Sequence, residues 1–294
     1  MATITKSTNL VEPSVVQDIF SKVNGFSSLA KLSAQTPIPF NGISEFVFTM
    51  DGEASIVGEG ADKPAGEAEV KSVVIKPIKF IYQHRLTDEF VNMSEEKQVP
   101  YLKAFTEGFA KKMSRALDIA AMHGVNPATG TAYDGIASNN FDMATVGKIV
   151  TTATKEDEDV DSAVQTIMAD NGAVTGLAFA PAFASALGKI KVNGVAQYPE
   201  FRFGGNPDTF AGISSSVNNT VSFKTSKDLA IVGDFANAFK WGYSESIPMK
   251  VIEYGDPDGL GDLQRTNQIV LRAEAYIGWG ILDTSSFKRI EKGE

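Results

Sequence analysis

The sequence predicts an α+β chain, and three observations carry that prediction. An apolar stripe marks one long helix from about residue 95 to 123, and two strand patterns flank a charged, glycine-rich tip between 51 and 82. Short apolar runs near 176–180 and 229–235 read as buried strands within a mixed α/β segment. With 294 residues the chain can bury a substantial core, in one large domain or two interleaved ones.

Residues 1 to about 34 are polar and short of bulky core side chains. Within them Ser14-Val15-Val16-Gln17-Asp18-Ile19-Phe20 fits one short helix with Ser14 or a residue near it as its cap. Ser27-Ser28-Leu29-Ala30-Lys31-Leu32 follows, and then Thr36-Pro37-Ile38-Pro39, where two prolines force extended backbone. The segment reads as an arm that either frays or is tied down by a neighbouring subunit.

Ile43 to Met50 alternate as a half-buried strand does. Between Asp51 and Lys71 lie four glycines, Pro64 and eight charges, six of them acidic. A second strand is expected from Ser72 to Tyr82, carried by Val73, Ile75, Ile78 and Phe80. Two strands and such a tip make a long hairpin with too little apolar content at its end to pack on its own domain.

The long helix follows. Thr87-Asp88-Glu89 is read as capping a short turn and Ser94-Glu95-Glu96 as opening the main segment, with Pro100 expected in the first turn. Tyr101, Leu102, Phe105, Phe109, Met113, Ala116, Leu117, Ala120 and Ala121 then fall on one face, with Lys103, Glu107, Lys111, Lys112 and Arg115 on the other. Gly124 and Asn126-Pro127 stop it. Beyond it, Asp159–Ala169 reads as helix, Gly176–Ala180 as buried strand and Pro181–Lys191 as helix, while Tyr198–Ser216 reads as loop and Leu229–Phe235 as buried strand. Residues 247–254 and 266–282 supply strands on either side of the Gly255-Asp256-Pro257-Asp258-Gly259-Leu260-Gly261-Asp262 turn.

Composition excludes several kinds of chemistry. The chain has no cysteine, hence no disulfide, thiolate metal site or cysteine nucleophile. His84 and His123 are the only histidines, too few for a multi-histidine metal centre within one subunit. A net charge of −9 argues against a surface that grips phosphates. No apolar run reaches membrane-spanning length and the first residues hold no apolar signal core, so a soluble protein made in a cytoplasm is expected.

Candidate sites are few. Gly58-Glu59-Gly60 with Gly66 shares only its glycines with a phosphate loop, and no Gly-Lys-Ser/Thr follows. Asp256, Asp258 and Asp262 could face a calcium ion, but the loop lacks the terminal glutamate and spacing of a helix–loop–helix calcium site, and turn chemistry explains it better. Glu156-Asp157-Glu158-Asp159 stands just before a helix, where its dipole favours acids. Neither histidine has a nucleophile at a recognisable spacing, and Trp241 and Trp279 read as core or interface residues. No residue is assigned a catalytic, cofactor-binding or metal-ligating role, and no enzyme activity is expected.

Taken in order, these features resemble the Hong Kong 97-type capsid fold of tailed bacteriophages. The likeness rests on Val57-Gly58-Glu59-Gly60 with Pro64, Leu86-Thr87-Asp88-Glu89-Phe90, Arg115-Ala116-Leu117-Asp118 followed by Gly124 and Gly135-Ile136, then Ile231-Val232-Gly233-Asp234-Phe235, and Asn267 to Ala275 (with Arg272 and Glu274) before Phe287. It spans nearly the whole chain, and order and spacing carry it rather than any single motif. It implies an N-terminal arm (1–34), a peripheral domain (35–50 and 83–141) with its spine helix at about 95–123, an extended loop (51–82), an axial domain (142–246) and closing strands (247–294).

The resemblance implies a major capsid protein that self-assembles through pentamers and hexamers into an icosahedral or prolate shell around double-stranded DNA, located in the virion and assembled in the host cytoplasm. Arm and loop would reach neighbouring subunits, and the Gly255–Asp262 turn would lie near three-fold contacts. A scaffolding protein, a portal protein and a decoration protein are implied partners, with no cofactor and no membrane. Because the chain begins with the arm, a separate scaffold or an already processed subunit is expected. Some family members weld subunits through a loop lysine and a C-terminal asparagine helped by a glutamate. Lys63 or Lys71, Asn267 and Glu274 fall at such positions, but the same residues occur in members without cross-links, and no cross-link is expected here. The alternatives are an encapsulin-like nanocompartment shell and a soluble α/β enzyme.

Overall fold

The computed structural model describes residues 26–51, 54–87, 89, 95–151, 155–244 and 249–293. The segment anticipated as a helix at Ser14–Phe20 and the turn around Asp88 lie outside them, in whole or in large part. Strands β1 (Ile43–Asp51) and β2 (Glu67–Ile75) pair antiparallel as a two-stranded ribbon, Ile43 opposite Ile75 and Asp51 opposite Glu67. The ribbon therefore ends at Ile75, and the anticipated Ser72–Tyr82 strand is two strands. Pro77 has no N–H for a ladder, and the chain breaks there to leave the ribbon. Strand β3 (Ile78–Thr87) joins another sheet instead.

The long helix α2 (Glu95–His123) is here called the spine helix. Pro100 is its sixth residue rather than a first-turn residue; its exposed position lets water replace the donor that the Glu96 carbonyl loses. Burial begins in earnest at Phe109 and runs through Met113, Leu117 and Ala121. The helix stops at Gly124, whose φ is +64°, and a Cβ there would stand 2.5 Å from the Asn140 amide nitrogen. Both the left-handed conformation and the close approach require glycine.

Two larger sheets share one core. In the peripheral sheet the 14-residue β13 (Gln268–Ile281) is central. Along one side runs β3; along the other run β12 (Met249–Ile252) and β11 (Phe239–Tyr243), all antiparallel to it. Gly278 and Gly280 in β13 leave room for Ile38 and Ile75, and a Cβ on Gly280 would come within 2.5 Å of Ile75. That seat anchors the ribbon's root, helped by an ion pair of 2.9 Å from Lys240 to Glu45.

The axial sheet has the order β4 (Gly147–Thr151), β14 (Phe287–Lys292), β10 (Asp228–Gly233), β5 (Gly176–Phe179), β9 (Ile213–Val217), β8 (Thr209–Phe210). It is mixed, with β14–β4 and β5–β9 parallel. Placing β8 and all but the last residue of β9 within 198–216 corrects the loop expectation. Ile213-Ser214-Ser215-Ser216 has weak strand propensity, and its place between β5 and β8 decides the matter. Helix α3 (Glu156–Ala169) takes all four acids Glu156–Asp159 into its first turn rather than following them, and α4 (Pro181–Leu187) ends four residues before Lys191. Asn193-Gly194, both at positive φ, then turn a small hairpin of β6 (Lys191–Val192) and β7 (Val195–Ala196).

The end of the anticipated arm is core. The short helix α1 (Ser28–Leu32) has Ser28 and Leu29 fully buried. Residues 35–38 run beside β11, with Thr36 N–H donating to the Trp241 carbonyl at 2.8 Å. Residues 27–38 thus pack within their own subunit, contrary to the free-arm reading, because Leu29, Leu32 and Ile38 suffice to join the core once their polar ends are satisfied.

Candidate functional site

Four arrangements could carry function, and the ribbon is the most exposed. In its ladder Phe46 faces Ser72, Phe48 faces Val70, Met50 faces Ala68 and Ser44 faces Val74, so these residues form one face. Phe46 is 73% exposed and Met50 74%, and Phe48, Val70 and Val74 are also exposed. Residues 54–66 at the tip are exposed throughout, Ile56 and Lys63 among them. A two-stranded ribbon is at best marginal alone in water, so an uncovered apolar face on one calls for a partner.

The second arrangement is the Gly255–Asp262 turn. The Arg85 guanidinium donates to both carboxylate oxygens of Asp258, to Asp256 and to the Gly261 carbonyl. Asp262 instead accepts from the Arg265 N–H at 3.1 Å. The three aspartates thus diverge, and two of them hold a guanidinium. That hydrogen bonding pulls the Asp258 carboxyl down to about 2.

The third is a buried carboxylate. Asp118, on the inner face of the spine helix, accepts from Ser27 Oγ (2.5 Å), Ser28 N–H (2.9 Å), Leu29 N–H (3.3 Å), Thr220 Oγ1 (2.9 Å) and Asn218 Nδ2 (3.4 Å). Burial pushes its carboxyl up, and these donors pull it back without fully offsetting the rise. It caps α1 from outside that helix and ties it to both the spine helix and the 218–220 loop. The pattern Arg115-Ala116-Leu117-Asp118 is visible in sequence, but its partners lie about 90 and 100 residues away.

The fourth gathers around His123. Its Nε2–H donates to the Thr220 carbonyl at 2.8 Å, and its Nδ1 stands 3.0 Å from Asp142 Oδ2 and 3.8 Å from Asp228 Oδ2. One Arg289 nitrogen reaches the other oxygen of each aspartate, at 3.0 and 3.1 Å, and Glu291 at 3.0 Å. Burial, with Asp142 beside it, drives the Asp228 carboxyl well above the usual carboxylate range. Asp142 is held below that range by His123, Asp228 and Arg289 despite its own burial. No spacing in the sequence announces this cluster, since the aspartates come from distant segments.

A family model of the phage capsid family matches residues 7–292. The chain belongs to the phage capsid family. The subunit is a major capsid protein, a virion component that forms the shell, and its role is structural rather than catalytic. The fold is similar to a solved structure from Mycobacterium phage Ogopogo, with TM-score 0.78 and 31% identity over 91% of this chain and 92% of that one. It is also similar to one from Gordonia phage Cozz (TM-score 0.74, 24% identity, 91% and 87%) and to the capsid of a native GTA particle (0.62, 12%, 100% and 99%). No curated protein matches. The Hong Kong 97-type fold read from the sequence is therefore the fold of this capsid subunit, and the match favours a virion shell over the nanocompartment and enzyme readings.

The remaining sequence candidates fall apart within the subunit. Lys63 lies in the exposed tip and Lys71 pairs with Glu69 at 3.1 Å on the ribbon. Asn267 closes a short 3₁₀ turn at φ +50°, and buried Glu274 pairs with Lys79 at 3.1 Å. His84 is exposed on β3 opposite Leu271. Trp241 and Trp279 are buried opposite one another, their indole N–H groups donating to the Ser33 and Asn139 carbonyls.

Two outcomes are expected. Asp118→Ala leaves four buried donors of Ser27, Ser28, Leu29 and Thr220 without their acceptor, and denaturant unfolding of the unassembled subunit should show a loss of about 3 kcal/mol or more. For Asp258 the folded value lies below the ordinary one, so its stabilising effect is full above the ordinary carboxylate range and fades as pH falls through about 2. Carboxyl NMR titration should place its midpoint near that value, and Arg85→Met should return it to the ordinary range.

Proposed function

We propose that each subunit completes its fold by laying the apolar face of the β1–β2 ribbon on a neighbouring copy, closing pentamers and hexamers into an icosahedral or prolate shell. The exposed row of Phe46, Phe48, Met50, Val70 and Val74 carries this reading, because no described residue of the subunit covers that face. A ribbon on one surface meeting a body on another is a heterologous contact, which closes into rings. The shell encloses double-stranded DNA without specific binding, consistent with a chain of net charge −9. It assembles in the host cytoplasm with a scaffolding protein, a portal and a decoration protein. The subunit carries no catalysis and forms no covalent weld.

Substituting Phe48→Asp separates folding from assembly. Because Phe48 is exposed, the unassembled variant should unfold within about 0.5 kcal/mol of the parent. Under conditions where the parent forms shells by electron microscopy, the variant should remain as small species. Shells of normal yield and size would sink the ribbon contact. Denaturing gels of parent shells should show one band at the 31.5 kDa subunit mass, and a ladder would overturn the absence of a weld.

A further inference from the structure

We propose that His123 Nδ1, Asp142 Oδ2 and Asp228 Oδ2 form a binding site for one divalent first-row transition cation of the zinc class, which fastens the end of the spine helix to the axial sheet. The three ligand atoms lie within 4.8 Å of one another and come from three separate segments. Bonds of about 2.0–2.2 Å meeting at tetrahedral angles would set ligand atoms about 3.4 Å apart. The separations of 3.0 and 3.8 Å from His123 Nδ1 bracket that value.

The surroundings match what a metal needs. The Nε2–H of His123 is committed to the Thr220 carbonyl, which fixes the ring and leaves Nδ1 facing the carboxylates. Arg289 holds Oδ1 of both aspartates, turning their Oδ2 atoms inward. Asp228 Oδ2 is the telling atom: its side chain is 1% exposed, and among the described residues no group donates a hydrogen bond to this oxygen, which faces His123. A buried carboxylate oxygen without a donor is costly, and a cation would satisfy it. With His123 neutral, the three positive charges of a divalent ion and Arg289 face the three carboxylates of Asp142, Asp228 and Glu291. Asp142, 31% exposed, leaves an entry path and room for a water ligand. One imidazole and only two carboxylates suit zinc-class ions better than calcium or magnesium, which need more oxygens or regular octahedral shells.

The test uses the full-length unassembled subunit, stripped of metal and titrated with ZnCl2 by calorimetry and by thermal unfolding. One equivalent should bind and raise the melting temperature by about 5 °C at a hundredfold excess over the dissociation constant. MgCl2 and CaCl2 should leave it unchanged. X-ray absorption of the zinc form should show imidazole nitrogen and carboxylate oxygen at about 2.0–2.2 Å. His123→Gln keeps a donor for Thr220 but removes the Nδ1 ligand, and Asp142→Asn weakens a ligand on the exposed side; each should lower zinc affinity at least tenfold. Should His123→Gln fail to fold, Asp142→Asn decides alone. Absence of any zinc effect on the parent overturns the proposal, and so does undiminished affinity in the variants, which would place zinc on exposed groups such as His84 or Asp256.

Discussion

Asp118 sits where three otherwise separate parts of the chain must meet, and its carboxylate is fully buried there. A charge in that position is tolerable only because five donors converge on it from both sides of the spine helix. Those donors are the start of α1 and the 218–220 loop, so the carboxylate fixes where the chain enters the core and how the axial sheet lies against the helix. Leu29 and Leu32 can then be apolar and buried on a helix of five residues, which has no stability of its own. Much of the fold's geometry follows from this junction. The spine helix serves both sheets, and a shared cluster of aromatics, Phe141 with Phe235, Phe239 and Phe287, fills the space between.

What could be read in the sequence followed from local rules. The spine helix announces itself by a 3.6-residue stripe and stops where Gly124 provides a left-handed residue, and both are properties of consecutive residues. Strand β5 is apolar throughout and β10 is apolar after Asp228, because they are buried on both faces. The misses share one cause, which is that tertiary position outweighed local preference. Ile213–Val217 is a strand because β5 and β8 flank it, Ser27–Leu32 is core because Asp118 satisfies it, and the His123 cluster exists because segments 19 to 166 residues away return to the helix end. Pro77 is the exception, a local signal whose ladder-breaking meaning the alternating pattern around it obscured.

The ribbon obeys the opposite logic to the rest of the subunit. Its root is specified closely, with Ile75 seated over Gly280 and Glu45 paired to Lys240. Beyond the root no described residue covers its apolar face, although nine consecutive ladder pairs keep its register. Register matters here because a slip of one residue would turn Phe46, Phe48 and Met50 to the other side. The strand pairing therefore presents a fixed row of side chains rather than a loose apolar tail, and a fixed row is what repeated, identical contacts between copies require. In the described part of the acidic, glycine-rich stretch beyond it, Ile56 and Val57 are the only large apolar side chains, which limits adhesion to wrong partners.

Polar satisfaction also separates what a shell must keep rigid from what it must leave adaptable. Asp118 and the Arg289 group lie inside, where a low dielectric makes each contact strong and each missing partner costly. The ribbon and the Gly255–Asp262 turn lie outside, held to the body by a few ion pairs with Lys240 and Arg85 that tolerate movement. A subunit built into a multimeric shell can adjust at such peripheral pairs without disturbing the buried core. The physical division runs along burial rather than along sequence. It explains how a chain can have one well-packed core and still be incomplete until it meets copies of itself.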